Sequence, residues 1–209
     1  MFLLLCLAVL LLLLLRLAWI FYRLGKSSKR SSRCRLLAVV GSGGHTMEML
    51  RLLSELGDRY SPRDYVLAET DKRSEVKIVA LESERKRGEK VDYGIHRIPR
   101  SREVRQSWLS SVATTMTSTL YCFPLLWRLK PDLVLCNGPG TCVPICLVAF
   151  FYKVIGLTDV KIIYVESFCR VTSLSLSGKI LYIFADSVLV QWPELKNLYP
   201  RTIYKGRMI

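Results

Sequence analysis

The sequence predicts an α/β protein in which one membrane-crossing helix is followed by a doubly wound parallel sheet. Three observations carry this. Residues 2–15 (FLLLCLAVLLLLLL) are an unbroken hydrocarbon run. Behind them, six short apolar segments rich in branched residues alternate with longer segments of helical periodicity, as parallel strands covered on both faces by crossover helices do. Two of those strands run directly into glycine turns, GSGGHT (41–46) and NGPGT (137–141).

Each element follows from its own residues. Arg16 interrupts the first run and LAWIFY continues it to Tyr22, roughly 31 Å of helix at 1.5 Å per residue, enough to span a bilayer core once. No basic residue precedes the run and no small-x-small cleavage site follows it, so residues 1–24 read as an uncleaved anchor. Arg16 lies about two turns from the end of the span, within snorkelling reach of the interface beside Trp19 and Tyr22. Lys26, Lys29, Arg30, Arg33 and Arg35 follow the span and no cation precedes it, which places the remainder in the cytosol by the positive-inside rule. Residues 25–34 are a basic linker, and the folded body occupies 35–209.

Within the body, RLLAVV (35–40) is a buried strand entering the first glycine turn. A helix follows with Met49, Leu50, Leu52, Leu53 and Leu56 on one face, Thr46 as its expected N-cap and Gly57 at its end. The alternation continues with DYVLAE (64–69) as strand, a charged helix near 74–87, IHRI (95–98) as strand and a long helix over 107–129. DLVLC (132–136), VKIIYV (160–165) and SVLVQ (187–191) are the remaining strands, with CVPICLVAFFYKVI and SGKILYIFA as the helices between them. The 107–129 segment carries eight Ser/Thr and no charge up to Leu126. Its hydroxyls and Pro124 argue against a second span, leaving a membrane-surface or partner-facing helix and ordinary core burial both open.

Composition bounds the function. The 209 residues hold 31 Lys+Arg against 17 Asp+Glu, a formal charge of +14, of which the anchor contributes only Arg16 and Arg23. This is one domain's worth of basic protein, too apolar for disorder and without a repeat. Seven cysteines without a C-x-x-C pair read as reduced thiols. Cys142 and Cys146 have the spacing of ligands on one helix face, but neither histidine is near, so packing is their expected role and no metal or other cofactor is anticipated. No nucleic-acid reader motif accompanies the positive charge.

Ligands of such sheets bind at the carboxyl ends of the strands. There, Gly41, Ser42, Gly43 and Gly44 can present backbone N–H groups at a helix start, where a phosphate is the natural guest. His45 stands on the turn at the strand end, where an imidazole could take a proton from a sugar hydroxyl or donate to a phosphate. Asn137, Gly138, Gly140 and Thr141 repeat the arrangement after a second strand. Glu166, directly after VKIIYV, is a second candidate base, or else a carboxylate capping a helix with Ser167. Arg97, Arg100, Arg102 and Arg105 are dense enough to clamp a pyrophosphate or rest on anionic headgroups, with a plain solvated loop as the other reading. A dinucleotide-binding loop would need glycine where Thr46 stands, although Glu69 could serve as its ribose acid, so a membrane-tethered NAD oxidoreductase is the alternative. The D-x-D handle of many metal-dependent glycosyltransferases does not occur.

The stretches VVGSGGHTMEMLRLL (39–53), IHRIPRSREVRQSW (95–108), KPDLVLCNGPGTCVPIC (130–146), YVES (164–167), CRV (169–171) and VQWPELKNLYP (190–200) resemble the membrane-anchor subunit family of the dolichol-pathway UDP-N-acetylglucosamine transferase. The chain also resembles the N-terminal, acceptor-binding half of the bacterial murein-precursor N-acetylglucosaminyltransferase. The resemblance implies a Rossmann-like acceptor half of a GT-B glycosyltransferase that passes GlcNAc to GlcNAc-pyrophosphoryl-dolichol on the cytosolic face of the endoplasmic reticulum. It implies that the glycine loops, Thr46 included, face the lipid pyrophosphate, and that His45 or Glu166 is the base of a metal-independent inverting transfer. It further implies a heterodimer in which a separate small subunit binds the donor and docks on the tail Tyr204, Lys205, Gly206, Arg207, Met208 and Ile209, with other early dolichol-pathway enzymes as further candidate partners. A scaffold that recruits a transferase and lends no catalytic group is the opposing reading.

Overall fold

The computed structural model describes residues 1–25, 32–85, 92–102, 106–138 and 140–208. Most of the basic linker (26–31), Arg105, Pro139 and the tail's Ile209 lie outside the described residues.

Helix α1 (Phe2–Arg23) precedes a seven-stranded, fully parallel sheet of order β3-β2-β1-β4-β5-β6-β7. The six expected strands are present as β1 (Leu36–Val39), β2 (Arg63–Ala68), β3 (Tyr93–Ile98), β4 (Leu133–Asn137), β5 (Lys161–Val165) and β6 (Ser187–Val190). The crossovers are α2 (Gly44–Ser54), α3 (Lys72–Arg85), α4 (Trp108–Leu129), α5 (Cys142–Val154) and α6 (Leu176–Phe184). Two elements escape the sequence reading: α7 (Pro193–Leu198) and the edge strand β7 (Ile203–Tyr204). Both are too short for hydrophobic periodicity to register.

The period of two along each strand sorts the core into two layers. Leu37, Val39, Val134, Cys136, Ile162 and Tyr164 point to the layer that α4, α5 and α6 cover. Leu36, Ala38, Val40, Leu133, Leu135 and Val165 point to the layer covered by α2 and α3. Cys142 and Cys146 are wholly buried in the first layer, as their packing role requires.

Among the described residues, α1 is the one helix long and apolar enough to cross a membrane, and its first fifteen residues touch little of the body. Its last two turns dock. Ile20 is buried, Phe21 meets Phe150 edge-on, and the Gly25 amide donates to the Asp186 carbonyl at 2.9 Å. Arg16 does not simply snorkel: its Nε donates to the Lys153 carbonyl at 3.0 Å, at the C-terminal end of α5. A cation is favoured there because the helix end carries unpaired carbonyls and partial negative charge.

Beneath that junction, Asp186 accepts from Lys153 Nζ at 2.7 and 2.8 Å, from Lys161 Nζ at 3.1 Å and from the Ile162 amide at 3.0 Å. Burial pushes the pKa of Lys153 down and the Asp186 carboxylate works against that. Replacing Asp186 with Ala strands a buried ammonium, a loss typically of about 3–5 kcal/mol. Denaturant unfolding should show that loss, whereas a change under about 1 kcal/mol would mean that water already reaches Lys153.

Cys34, Cys122, Cys136, Cys142 and Cys146 are buried, while Cys6 and Cys169 are exposed. Burial pushes the Cys122 thiol up to about 12 and raises Cys136 and Cys142 as well. Thiolates do the reacting. In bilayers at pH 8 a maleimide should therefore label Cys169 first and spare the five buried thiols until the chain unfolds. Raised folded-state values also mean that these thiols withhold stability as pH climbs, because above about pH 9 the unfolded chain ionises and the folded chain does not.

Candidate functional site

The strand order reverses between β1 and β4, since the chain leaves β1 toward β2 and returns to its other side. Parallel register sets Val39 against Cys136, so the loops following both strands meet above the same crevice. Gly43, with φ of 67°, is the N-cap of α2, and no side chain caps that helix. The first-turn N–H groups of α2 therefore remain for an incoming anion.

Thr46 was expected to be that N-cap and to face the ligand. The structure places it inside the first turn, almost fully buried, with its hydroxyl donating to the Gly41 carbonyl and 2.7 Å from Ser74 Oγ. It ties the glycine loop to the start of α3. Gly41, Ser42, Arg100, Arg102, Gly140 and Thr141 do come together, lining with Asp71 one pocket of about 160 Å³. Its two guanidinium groups and adjacent helix start suit a phosphate or pyrophosphate. Arg97 is absent from the pocket: it pairs with Glu75.

His45 stands beside the pocket on α2, with about a third of its side chain exposed. Its Nδ1 lies 3.3 Å from Asn137 Oδ1. Asn137 is fully buried, and its Nδ2 donates to Glu48 Oε2 at 2.9 Å and to the Val165 carbonyl at 3.2 Å. Because the amide nitrogen is committed there, the amide oxygen faces His45. Nδ1 then carries the imidazole proton and Nε2 keeps its lone pair. Asn137 is thus a positioning group for His45 rather than a loop donor to the ligand. Glu48, whose other oxygen accepts from Ser167 Oγ at 2.8 Å, completes the network 3.9 Å from Nδ1. Sequence reasoning passed over Glu48 as part of an amphipathic helix. Its spacing of three from His45, which makes neighbours on a helix, was the available signal.

Gly138 has φ of 78°, and a Cβ there would stand 2.1 Å from the His45 ring. Glycine is required here so that the ring can lie over the second loop.

Glu166 does not join this group. It is fully buried, and its carboxylate accepts from Ser175 N at 2.8 Å, Ser175 Oγ at 3.1 Å, Ser167 N at 3.1 Å and Tyr164 OH at 3.2 Å. One residue past Val165, it points into the α5/α6 layer, opposite the layer of His45 and Asn137. It anchors the start of α6, and Gly178 is needed because a Cβ would come within 2.3 Å of its Oε2.

The long helix α4 presents both characters at once. Ser111, Ser118, Cys122 and Leu126 are buried, and Thr114 and Ser118 donate to the Ser101 and Pro99 carbonyls at 2.7 and 3.0 Å. The opposite stripe, including Trp108, Val112, Met116 and Leu120, is exposed. At the C-terminus, Tyr204 and Lys205 are exposed, Gly206 turns with φ of 86°, Arg207 lies 4.7 Å over the Trp192 ring, and the Met208 amide donates to Gln191 Oε1 at 2.8 Å.

A doubly wound parallel sheet with a pocket lined by Arg100 and Arg102 at its switch point, preceded by a helix long and apolar enough to cross a membrane, is the architecture of a Rossmann-like α/β domain. The profile of the family described as "Oligosaccharide biosynthesis protein Alg14 like" matches residues 36–208, and the chain belongs to that family. It is 58% identical to the UDP-N-acetylglucosamine transferase subunit ALG14 of Rattus norvegicus over 178 residues, 83% of this chain and 82% of that protein. Identity to the human subunit of the same name is 52% over 195 residues, 91% and 90% of the two chains. For the Yarrowia lipolytica subunit it is 44% over 207 residues, 97% and 95%. Among solved structures, Acinetobacter baumannii MurG superposes with a TM-score of 0.54 at 15% identity, over 82% of this chain and 45% of MurG. The UDP-N-acetylglucosamine 2-epimerase of Rickettsia bellii gives 0.55 at 16%, over 84% and 45%. The fold is therefore shared with one part of larger chains, of which this chain spans under half.

Because the tautomer of His45 rests on one amide, Asn137→Ala should release it. Nitrogen chemical shifts of labelled histidine should report an Nδ1–H imidazole in the parent and a shift toward Nε2–H in the variant. Identical spectra would show that Asn137 does not set the proton.

Proposed function

We propose that this chain is the acceptor-side, membrane-anchoring subunit of a UDP-GlcNAc transferase that adds the second GlcNAc to GlcNAc-pyrophosphoryl-dolichol. In this reading α1 spans the endoplasmic reticulum membrane, the body faces the cytosol, and a small donor-binding subunit is recruited to complete the enzyme. The observation that carries it is the pocket at the β1/β4 switch, where Arg100, Arg102 and the glycine loop's Gly41 and Ser42 line one volume, and that loop leads directly into the uncapped start of α2 and His45. Membership of a family whose relatives are named as transferase subunits supports the same conclusion.

In the proposed mechanism, Arg100, Arg102 and the α2 start neutralise the acceptor pyrophosphate and fix its sugar. Nε2 of His45, which has no protein partner among the described residues, takes the proton from O4 of that sugar as O4 bonds to the anomeric carbon of the donor and UDP leaves. Asn137 holds the ring, and the Glu48 carboxylate stabilises the imidazolium that forms. The reaction inverts the anomeric centre and calls on no metal, cofactor or nucleic acid. Glu166 holds α6 in place. The donor subunit docks on the Tyr204–Ile209 tail beside the open edge of β7. The dinucleotide alternative is not favoured: Thr46 occupies the third glycine position and buries its hydroxyl against the loop that a cofactor would approach.

Assembled with its donor subunit in vesicles, His45→Ala should keep membrane insertion and co-purification while transfer falls by about 10²–10⁴. Gly138→Ala, which drives a methyl group into the ring, should lose activity with it. Parent-level transfer by both variants would leave the scaffold reading standing.

A further inference from the structure

A second cavity of about 490 Å³ opens between α4, α5 and α6. Its walls are hydrocarbon, chiefly Val112, Met116, Leu120, Val143, Leu147 and Ile180. It shares Arg102 and Gly140 with the anion pocket, so the two volumes meet end to end. We propose that this groove seats the hydrocarbon chain of the lipid diphosphate whose head occupies the anion pocket, an inference that rests on the acceptor reading above.

Three features select an amphiphile with an anionic head over a peptide or a sugar. The hydroxyls along the α4 wall are already spent: Ser111 donates to the Ser107 carbonyl at 2.7 Å, Thr115 to Ser111 at 2.7 Å and Thr119 to Thr115 at 2.7 Å. Engaged with their own helix, they have no proton left for a peptide backbone or a sugar ring. At the junction the chemistry changes within one residue. The Arg102 guanidinium stacks 4.5 Å over the Trp108 ring, which occupies its flat face and leaves its in-plane N–H groups for phosphate oxygens. Beside it, Ser101 is 2% exposed and its hydroxyl has no partner among the described residues. That hydroxyl lies where a Cβ on Gly140 would approach it at 3.4 Å, at the seam of the two cavities. A buried donor without an acceptor is costly, and a phosphate oxygen would satisfy it.

The test compares two probes on the full-length chain in lipid nanodiscs: GlcNAc-diphosphate esterified to phytanol, and the same head esterified to methanol. Leu147→Trp narrows the groove while keeping it apolar, and Met116→Glu puts a carboxylate beside the chain. Both positions are partly open to solvent in the parent, and neither lies in the anion pocket. The parent should bind the phytanyl ester more tightly than the methyl ester. Each variant should raise the phytanyl dissociation constant by about tenfold and leave the methyl ester within about twofold, the size expected for losing a few buried methylenes. Methyl-ester binding serves as the folding control. Equal binding of both esters by the parent, or equal weakening of both by the variants, overturns the groove and leaves the diphosphate site standing. Failure of the parent to bind either ester overturns the diphosphate reading, and the groove falls with it.

Discussion

Parallel pairing of β1 with β2 on one side and β4 on the other is the constraint on which the remaining architecture depends. A right-twisted parallel crossover returns to its sheet on one hand only, so reversing direction at β1 carries α2 and α5 to opposite layers. Their N-terminal ends both rise at the same edge of the sheet. The register of Val39 with Cys136 then fixes the height of both glycine loops. The pocket that Arg100 and Arg102 line is a consequence of that pairing, because no local segment contains both of its halves.

Around this crevice the side chains interlock. Asn137, one residue past the Val39 partner Cys136, is buried where its amide can serve His45, Glu48 and the Val165 carbonyl together. Gly138 stays without a side chain so that the imidazole can lie against its backbone. Glu166, the residue that follows β5, serves the opposite layer by holding α6. Alternation along a strand thus divides one short stretch between the hydrogen-bond network around His45 and a structural anchor.

The two helices with long exposed apolar stripes, α1 and α4, obey a related economy. Helix α4 is held by a stripe of small hydroxyl side chains donating to the preceding loop, which frees its apolar stripe. Helix α1 is held by only its last two turns, with Arg16 on the C-terminal end of α5 and Ile20 in the body. The Lys153–Asp186 pair beneath stiffens the place where the anchor joins the domain.

The residues alone determined the long apolar first helix, the six main strands, their parallel arrangement and the two glycine loops, because hydrophobic period and glycine turns are local signals. They also placed His45, Gly41, Ser42, Gly140 and Thr141 at the carboxyl ends of the strands, since those ends can be read in order. They did not determine which polar side chains would serve each other. Asn137 reads as a loop donor until β1 and β4 are adjacent, Thr46 as a cap until Gly43 adopts a positive φ, and Glu166 as a free base until the pleat turns it into the α6 layer. Glu48 and Ser101 gain meaning only from neighbours 89 residues away and from a hydroxyl left without an acceptor. Such facts belong to tertiary structure because a hydrogen bond needs its partner within about 3 Å, and sequence distance carries no such measure.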